Sequence, residues 1–125
     1  MTVAAQNVPA DFNGDGYDDL AVGIPKEDIG NIIDAGAVQI FYGTHNGIGS
    51  ENQLWHLNSP NIQLEAVAND NLGAAISAGD FNNDGYADLA IGIPFKSNTQ
   101  EKVLTLYESP LGLSDTGNQI RDQEH

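Results

Sequence analysis

Two stretches of this chain place short oxygen-bearing side chains at every second position. Asp11, Asn13 and Asp15 are followed by a main-chain carbonyl at Tyr17 and a carboxylate at Asp19, and Asp80, Asn82, Asp84, the Tyr86 carbonyl and Asp88 repeat that order. Oxygens at positions one, three, five, seven and nine of a curled loop suit Ca²⁺, a hard cation that takes about six to eight oxygen ligands in flexible geometry. Gly16 and Gly85 hold the sixth position, where the chain must turn sharply and a Cβ would obstruct. Mg²⁺ demands a tighter octahedron and keeps its waters, and Zn²⁺ would want histidine or thiolate, which neither loop offers. The spacing therefore predicts two Ca²⁺ sites.

Two other readings of such loops have to be set against this one. Asp, Asn and Gly also form Asx-turns without any metal, but three close carboxylates in each of two loops repel one another unless a cation lies between them. The same pattern opens an EF-hand or a dockerin repeat, both of which continue as helices with an acid at the twelfth position. Here that position holds Val22 and Ile91, inside Gly- and Pro-ended, β-branched segments that cannot continue as helices.

No catalytic constellation stands out beside the loops. Every acid at a repeated position is already a candidate ligand, so no carboxylate pair is left for acid and base work. His45 precedes Asn46-Gly47 with no nucleophile or second histidine nearby and reads as solvated, while Trp55, next to His56, reads as packing rather than as a sugar-stacking platform. Asp18, whose counterpart is Ala87, is expected to face solvent. The chain has no cysteine, Asn-x-Ser/Thr acceptor, Arg-Gly-Asp tripeptide or phosphate-binding glycine loop. Its formal charge of −14 argues against nucleic acid and anionic lipid as partners, and no apolar run reaches the length of a membrane-spanning helix. Residues 1 to 30 lack a basic region followed by an apolar one, so a secreted parent would be represented by a processed or excised piece. The ending Gln123-Glu124-His125 is given no structural weight.

The elements that hold the loops follow from a repeat. Residues 11–25 recur as residues 80–94 with Gly14, Asp18 and Val22 exchanged for Asn83, Ala87 and Ile91 and the rest identical, and Ala37-Val-Gln-Ile-Phe-Tyr-Gly43 is echoed by Lys102-Val-Leu-Thr-Leu-Tyr-Glu108. The offset of 69 residues between Asp11 and Asp80 is too long for a helical solenoid unit and fits one propeller blade. Four short strands are expected per unit: 3–10, 20–24, 37–42 and 53–57, then 72–78, 89–93, 103–107 and a weak one at 119–121. Apolar residues fall on both faces of these strands, as Phe41 does against Val38, Ile40 and Tyr42. Sheets of that kind need covering on both sides, which radial stacking supplies. The fold class is all-β, two four-stranded antiparallel propeller blades, with units at 1–60 and 61–125.

These residues resemble the FG-GAP repeats of integrin α-subunit propellers and their bacterial relatives. Leu72-Gly73 leading to Asp80 looks like that family's Phe-Gly segment, and Asp-Leu-Ala-Val-Gly-Ile-Pro25 and Asp-Leu-Ala-Ile-Gly-Ile-Pro94 look like its Gly-Ala-Pro segment, with Ile for Ala. The resemblance implies a propeller, usually seven-bladed, with Ca²⁺ between the first two strands of a blade. It implies secreted or cell-surface proteins acting in adhesion or recognition, through a protein or glycan ligand that nothing here identifies, or as accessory domains of enzymes such as secreted lyases and phospholipases. Two blades cannot close a ring, so a homo-oligomer of three or four copies is a further expectation.

Overall fold

The computed structural model describes residues 7–59, 62, 66–94 and 101–122. It contains eight strands and, among the described residues, no helix: β1 (Asn7–Ala10), β2 (Asp19–Ile24), β3 (Ala37–Thr44), β4 (Gly47–Trp55), β5 (Ile76–Gly79), β6 (Asp88–Ile93), β7 (Lys102–Ser109) and β8 (Gly112–Asp122). They form two four-stranded antiparallel meanders, in the orders β1-β2-β3-β4 and β5-β6-β7-β8. The all-β, two-blade expectation holds. The start of the strand expected at 3–10 and the tail at 123–125 lie outside the described residues.

Among the described residues, three expected strands start more than two residues away from where they were expected, and the others differ by two residues or fewer at either end. The outer strand of each blade begins at Gly47 and Gly112 rather than at 53 and 119, because His45-Asn46 and Pro110-Leu111 make two-residue hairpin turns that fold the chain straight back. Both glycines have φ above +100°, which the return requires. Each ladder has a bulge in its third strand, between Phe41 and Gly43 and, one repeat position earlier, between Thr105 and Tyr107. The expected strand at 72–78 is broken: Gly73 adopts φ +94°, so Leu72 makes only a bridge to Gly36 before β5 begins at Ile76.

That break sews the blades together. Asn69, Asn71 and Leu72 donate N–H bonds to the carbonyls of Ile33, Asp34 and Ala35 at 2.8–3.0 Å, and Gly73 N–H bonds Gly92 O at 2.9 Å. Gly23 and Gly36 lie so close to the Gly73 carbonyl and the Leu72 backbone that a Cβ at either would collide with main chain. Residues opposite one another in a ladder share a face, so Ala21, Val38, Ile40, Tyr42 and Trp55 form the face of the first blade that meets the second. Leu89, Ile91, Ile93, Leu104 and Leu106 meet it from the other side, and all ten are buried. Each large aliphatic removed from water there stabilises by about 1.5–3 kcal/mol. Trp55 belongs to this core, as its type suggested, with Nε1 donating to Gln53 Oε1 at 3.3 Å.

Candidate metal centres

Each acidic loop connects the first two strands of its blade, β1 to β2 and β5 to β6. Both are wound by the same hydrogen bonds. In the first loop Asp11 accepts the N–H groups of Asp15 at 3.2 Å and Gly16 at 2.8 Å, and Asp15 accepts that of Tyr17 at 3.0 Å. In the second, Asp80 accepts from Asp84 at 3.0 Å and Gly85 at 2.7 Å, and Asp84 from Tyr86 at 3.0 Å. Gly16 and Gly85 both have φ +90°, and the fourth position is also left-handed, at Gly14 (φ +70°) and Asn83 (φ +64°). Asn tolerates that region where most side chains do not.

The ninth residue anchors each loop to the sheet. Asp19 is buried and accepts N–H bonds from Phe12 and Gly43, both at 2.8 Å; Asp88 is buried and accepts from Phe81 at 2.9 Å and Glu108 at 2.8 Å. Each carboxylate thus ties the loop's second residue to the third strand of the blade. A carboxylate has about four lone-pair sites, so two remain for a cation. Burial raises the Asp19 pKa against the lowering effect of those two N–H bonds, and the Asp11 and Asp15 charges raise it further. The Asp80 carboxyl is held below its ordinary value, chiefly by the Gly85 N–H.

The predicted ligands are brought together to different extents. Asp80, Asp84 and Asp88 converge, with one carboxylate oxygen from each lying within 4.8 Å of the others. Asp11, Asp15 and Asp19 share the loop geometry without drawing to that distance. Beside them Asn13 buries its side-chain oxygen with no hydrogen-bond donor, which is costly unless another positive partner is present. Asn82 is exposed, as are Tyr17 and Tyr86, although the Tyr86 ring lies over Gly14 of the first loop; Asp18 is exposed as expected. A donor set of carboxylate, amide and main-chain oxygens without nitrogen or sulfur fits Ca²⁺.

Two neighbours were not legible as site residues. Gly43 and Glu108 occupy matching ladder positions and supply the main-chain N–H to the ninth-position Asp. The Glu108 side chain also reaches the other loop: a Cβ built on Gly14 would lie 2.8 Å from Glu108 Oε2 and 3.2 Å from the Tyr86 ring. Burial raises the Glu108 pKa, and the charges of Asp84, Asp88 and Asp11 add to the effect. The signal available in the sequence was the exchange of Gly43 for Glu108 directly after the tyrosine that both copies keep.

The family model described as "FG-GAP repeat" matches residues 4–41 and 72–104. The chain is 34% identical over 116 residues to integrin alpha-PS5 of Drosophila melanogaster, covering 92% of this chain and 11% of that protein. It is 35% identical over 117 residues to integrin alpha-3 of Mus musculus, covering 89% and 10%. It is 41% identical over 86 residues to phosphatidylinositol-glycan-specific phospholipase D of Rattus norvegicus, covering 68% and 9%. The chain thus spans about a tenth of the length of the curated relatives it matches. Two matched repeats, each folded as a four-stranded blade around the same loop, make this chain a member of the FG-GAP repeat family.

Proposed function

We propose that this chain is a non-catalytic, Ca²⁺-binding module of an extracellular or cell-surface FG-GAP propeller of the adhesion, recognition or scaffold type. Asp11, Asn13, Asp15, the Tyr17 carbonyl and Asp19 hold one ion; Asp80, Asn82, Asp84, the Tyr86 carbonyl and Asp88 hold the second. The observation that carries this reading is the meeting of the Asp80, Asp84 and Asp88 carboxylates within 4.8 Å on an open loop, an arrangement whose mutual repulsion a divalent cation relieves. The buried acceptor of Asn13 supports the first site independently. The ions fix loops that join the strands of each blade, so their function is to stiffen the module. The surface location rests on the likeness to integrin α-subunits.

Calorimetric titration with Ca²⁺ tests it. Two sites are expected in the unmodified chain and one in Asp84→Ala. Thermal stability should rise by about 2.7 kcal/mol per site at one hundred times its dissociation constant. Equal melting temperatures in EDTA and in millimolar Ca²⁺ would overturn the reading.

A second reading is favoured by the likeness to phosphatidylinositol-glycan-specific phospholipase D: the module serves as an accessory propeller of a secreted phospholipase or lyase. It keeps both ion sites and assigns no catalytic residue to this chain. Turnover of a phospholipid or polysaccharide panel by the chain alone would contradict both readings.

A further inference from the structure

Among the described residues, the two blades leave opposite faces of the same repeat uncovered. In the first blade Ala21, Val38, Ile40 and Tyr42 are buried against the second, while Leu20, Val22, Ile24 and Phe41 on the other side are only half-buried. The second blade inverts this pattern. Leu89, Ile91, Ile93 and Leu106, the repeat counterparts of that half-buried set, have no exposed surface, whereas Ala90, Val103, Thr105 and Tyr107, the counterparts of the buried set, are half-exposed. Each uncovered face is therefore the copy, in register, of a face that the chain itself knows how to cover.

The polar contact that fixes the internal junction also recurs in two separated halves. Inside the chain, the Leu113 N–H donates to the Tyr42 hydroxyl at 2.9 Å, Gln53 Nε2 donates to the Leu113 carbonyl at 3.0 Å, and the Tyr42 hydroxyl donates to Gln53 Oε1. Gly112 is needed beneath it, because a Cβ there would strike the Tyr42 phenol. On the uncovered face of the second blade, Tyr107 and Gln119 hold the positions of Tyr42 and Gln53: Gln53 pairs with Ile40, and Gln119 pairs with the matching Thr105. At the free edge of the first blade, Gly47 and Ile48 hold the positions of Gly112 and Leu113, paired with Thr44 and Gly43 as those are with Ser109 and Glu108. Leu113 is 2% exposed and Ile48 is 53% exposed.

Charge favours the same occupant. The uncovered face of the second blade carries Arg121 in the position of Trp55, opposite Val103. Arg121 is one of only four basic residues in a chain of net charge −14, so it lowers the repulsion that this face offers to an acidic partner.

We propose that the uncovered face of the second blade is a docking surface for the first blade of another copy of this chain, with Gly47 and Ile48 of the incoming copy seated against Tyr107 and Gln119. The contact is head-to-tail, so it leaves one face of each kind at the ends of any open chain and is satisfied throughout only in a ring. For the 125-residue chain by itself, three copies supply six blades and four supply eight, both within the range propellers adopt.

Light scattering of the 125-residue chain in Ca²⁺, over a dilution series, tests this. The unmodified protein should have the mass of three or four copies. Ile48→Asp damages one side of the contact and Tyr107→Ala the other, so each variant alone should be monomeric. An equimolar mixture of the two retains one intact contact and should give a one-to-one heterodimer, an outcome that a symmetric face-to-face dimer does not produce. Circular dichroism checks that both variants fold; if either does not, the mass of the unmodified chain decides. A monomer at every concentration, as expected if the face is reserved for a following blade of a longer chain, would overturn the proposal. So would a dimer whose mass Ile48→Asp leaves unchanged.

Discussion

The first and second acidic loops carry the same hydrogen bonds on the same atoms, but one is touched at Gly14 by the neighbouring blade and the other is open to solvent. In the first, Gly14 lies under Tyr86 and Glu108 of the second blade and the Asn13 oxygen is buried. In the second, Asn82 and Asn83 are exposed and the three carboxylates converge by themselves. What the loops share is thus what an ion and a tight turn require. Where they differ, at Gly14 against Asn83 and at Gly43 against Glu108, the difference follows the neighbour. Repeats of one sequence diverge first at the positions where their surroundings do.

The strongest test of the shared part is the ninth residue. Asp19→Ala and Asp88→Ala each strand two main-chain N–H groups behind a buried carboxylate, and a buried donor left without a partner costs about 1–3 kcal/mol. Each variant should lose roughly 2–4 kcal/mol of stability in urea unfolding even with EDTA present. Asp84→Ala, which removes one bond to the exposed Tyr86 N–H, should lose less than about 1 kcal/mol under the same conditions. All three should lose an ion site. If Asp88→Ala were harmless without Ca²⁺, the anchoring role assigned to the ninth position would be wrong.

Most of the fold was legible because the repeat carries its own control. A pattern seen twice in register separates constrained positions from drift, so the two acidic loops, the inner strands and the two four-stranded sheets could be read directly. The outer strands were legible only in part. Their first halves, from Gly47 and Gly112, are short of alternating apolar residues because most of their side chains are not buried, and a hairpin glycine looks the same as a loop glycine. The break at Gly73 was hidden for a different reason: its left-handed φ serves a contact with Gly23 and Gly92 of other strands, which no local pattern reveals. Glu108 escaped because it does not recur. A residue whose importance comes from standing between the copies leaves no trace in their repetition.

A smaller effect should appear when the fourth loop residues are exchanged. Gly14→Asn keeps a residue that tolerates positive φ, so backbone strain stays small and the variant reports mainly on the space occupied by Tyr86 and Glu108. We expect a loss of about 1–2 kcal/mol, in the range of overpacking a filled site. Asn83→Gly meets no such neighbour and should change stability by no more than about 0.5 kcal/mol, because only chain entropy differs. Equal effects of the two exchanges, measured as urea midpoints at fixed protein concentration, would mean that the first loop is not enclosed by the second blade.

The smallest effect expected is at Glu108. Its carboxylate stands close enough to Asp84, Asp88 and Asp11 for each of their charges to raise its pKa, so in the ion-free protein it adds to the repulsion among the loop acids, and with Ca²⁺ bound it attracts the ions of both loops. Glu108→Gln keeps the shape and the main-chain bond to Asp88 while removing the charge. In EDTA the variant should therefore melt slightly higher than the parent. In Ca²⁺ it should bind more weakly, by roughly two- to five-fold at the second loop and less at the first, since a partly screened charge acts over a distance comparable to the Debye length of about 8 Å. Raising the salt concentration should shrink the difference between Glu108→Gln and the parent. An affinity loss that is unchanged by salt, or confined to the first loop, would mean that Glu108 acts by contact rather than through its charge.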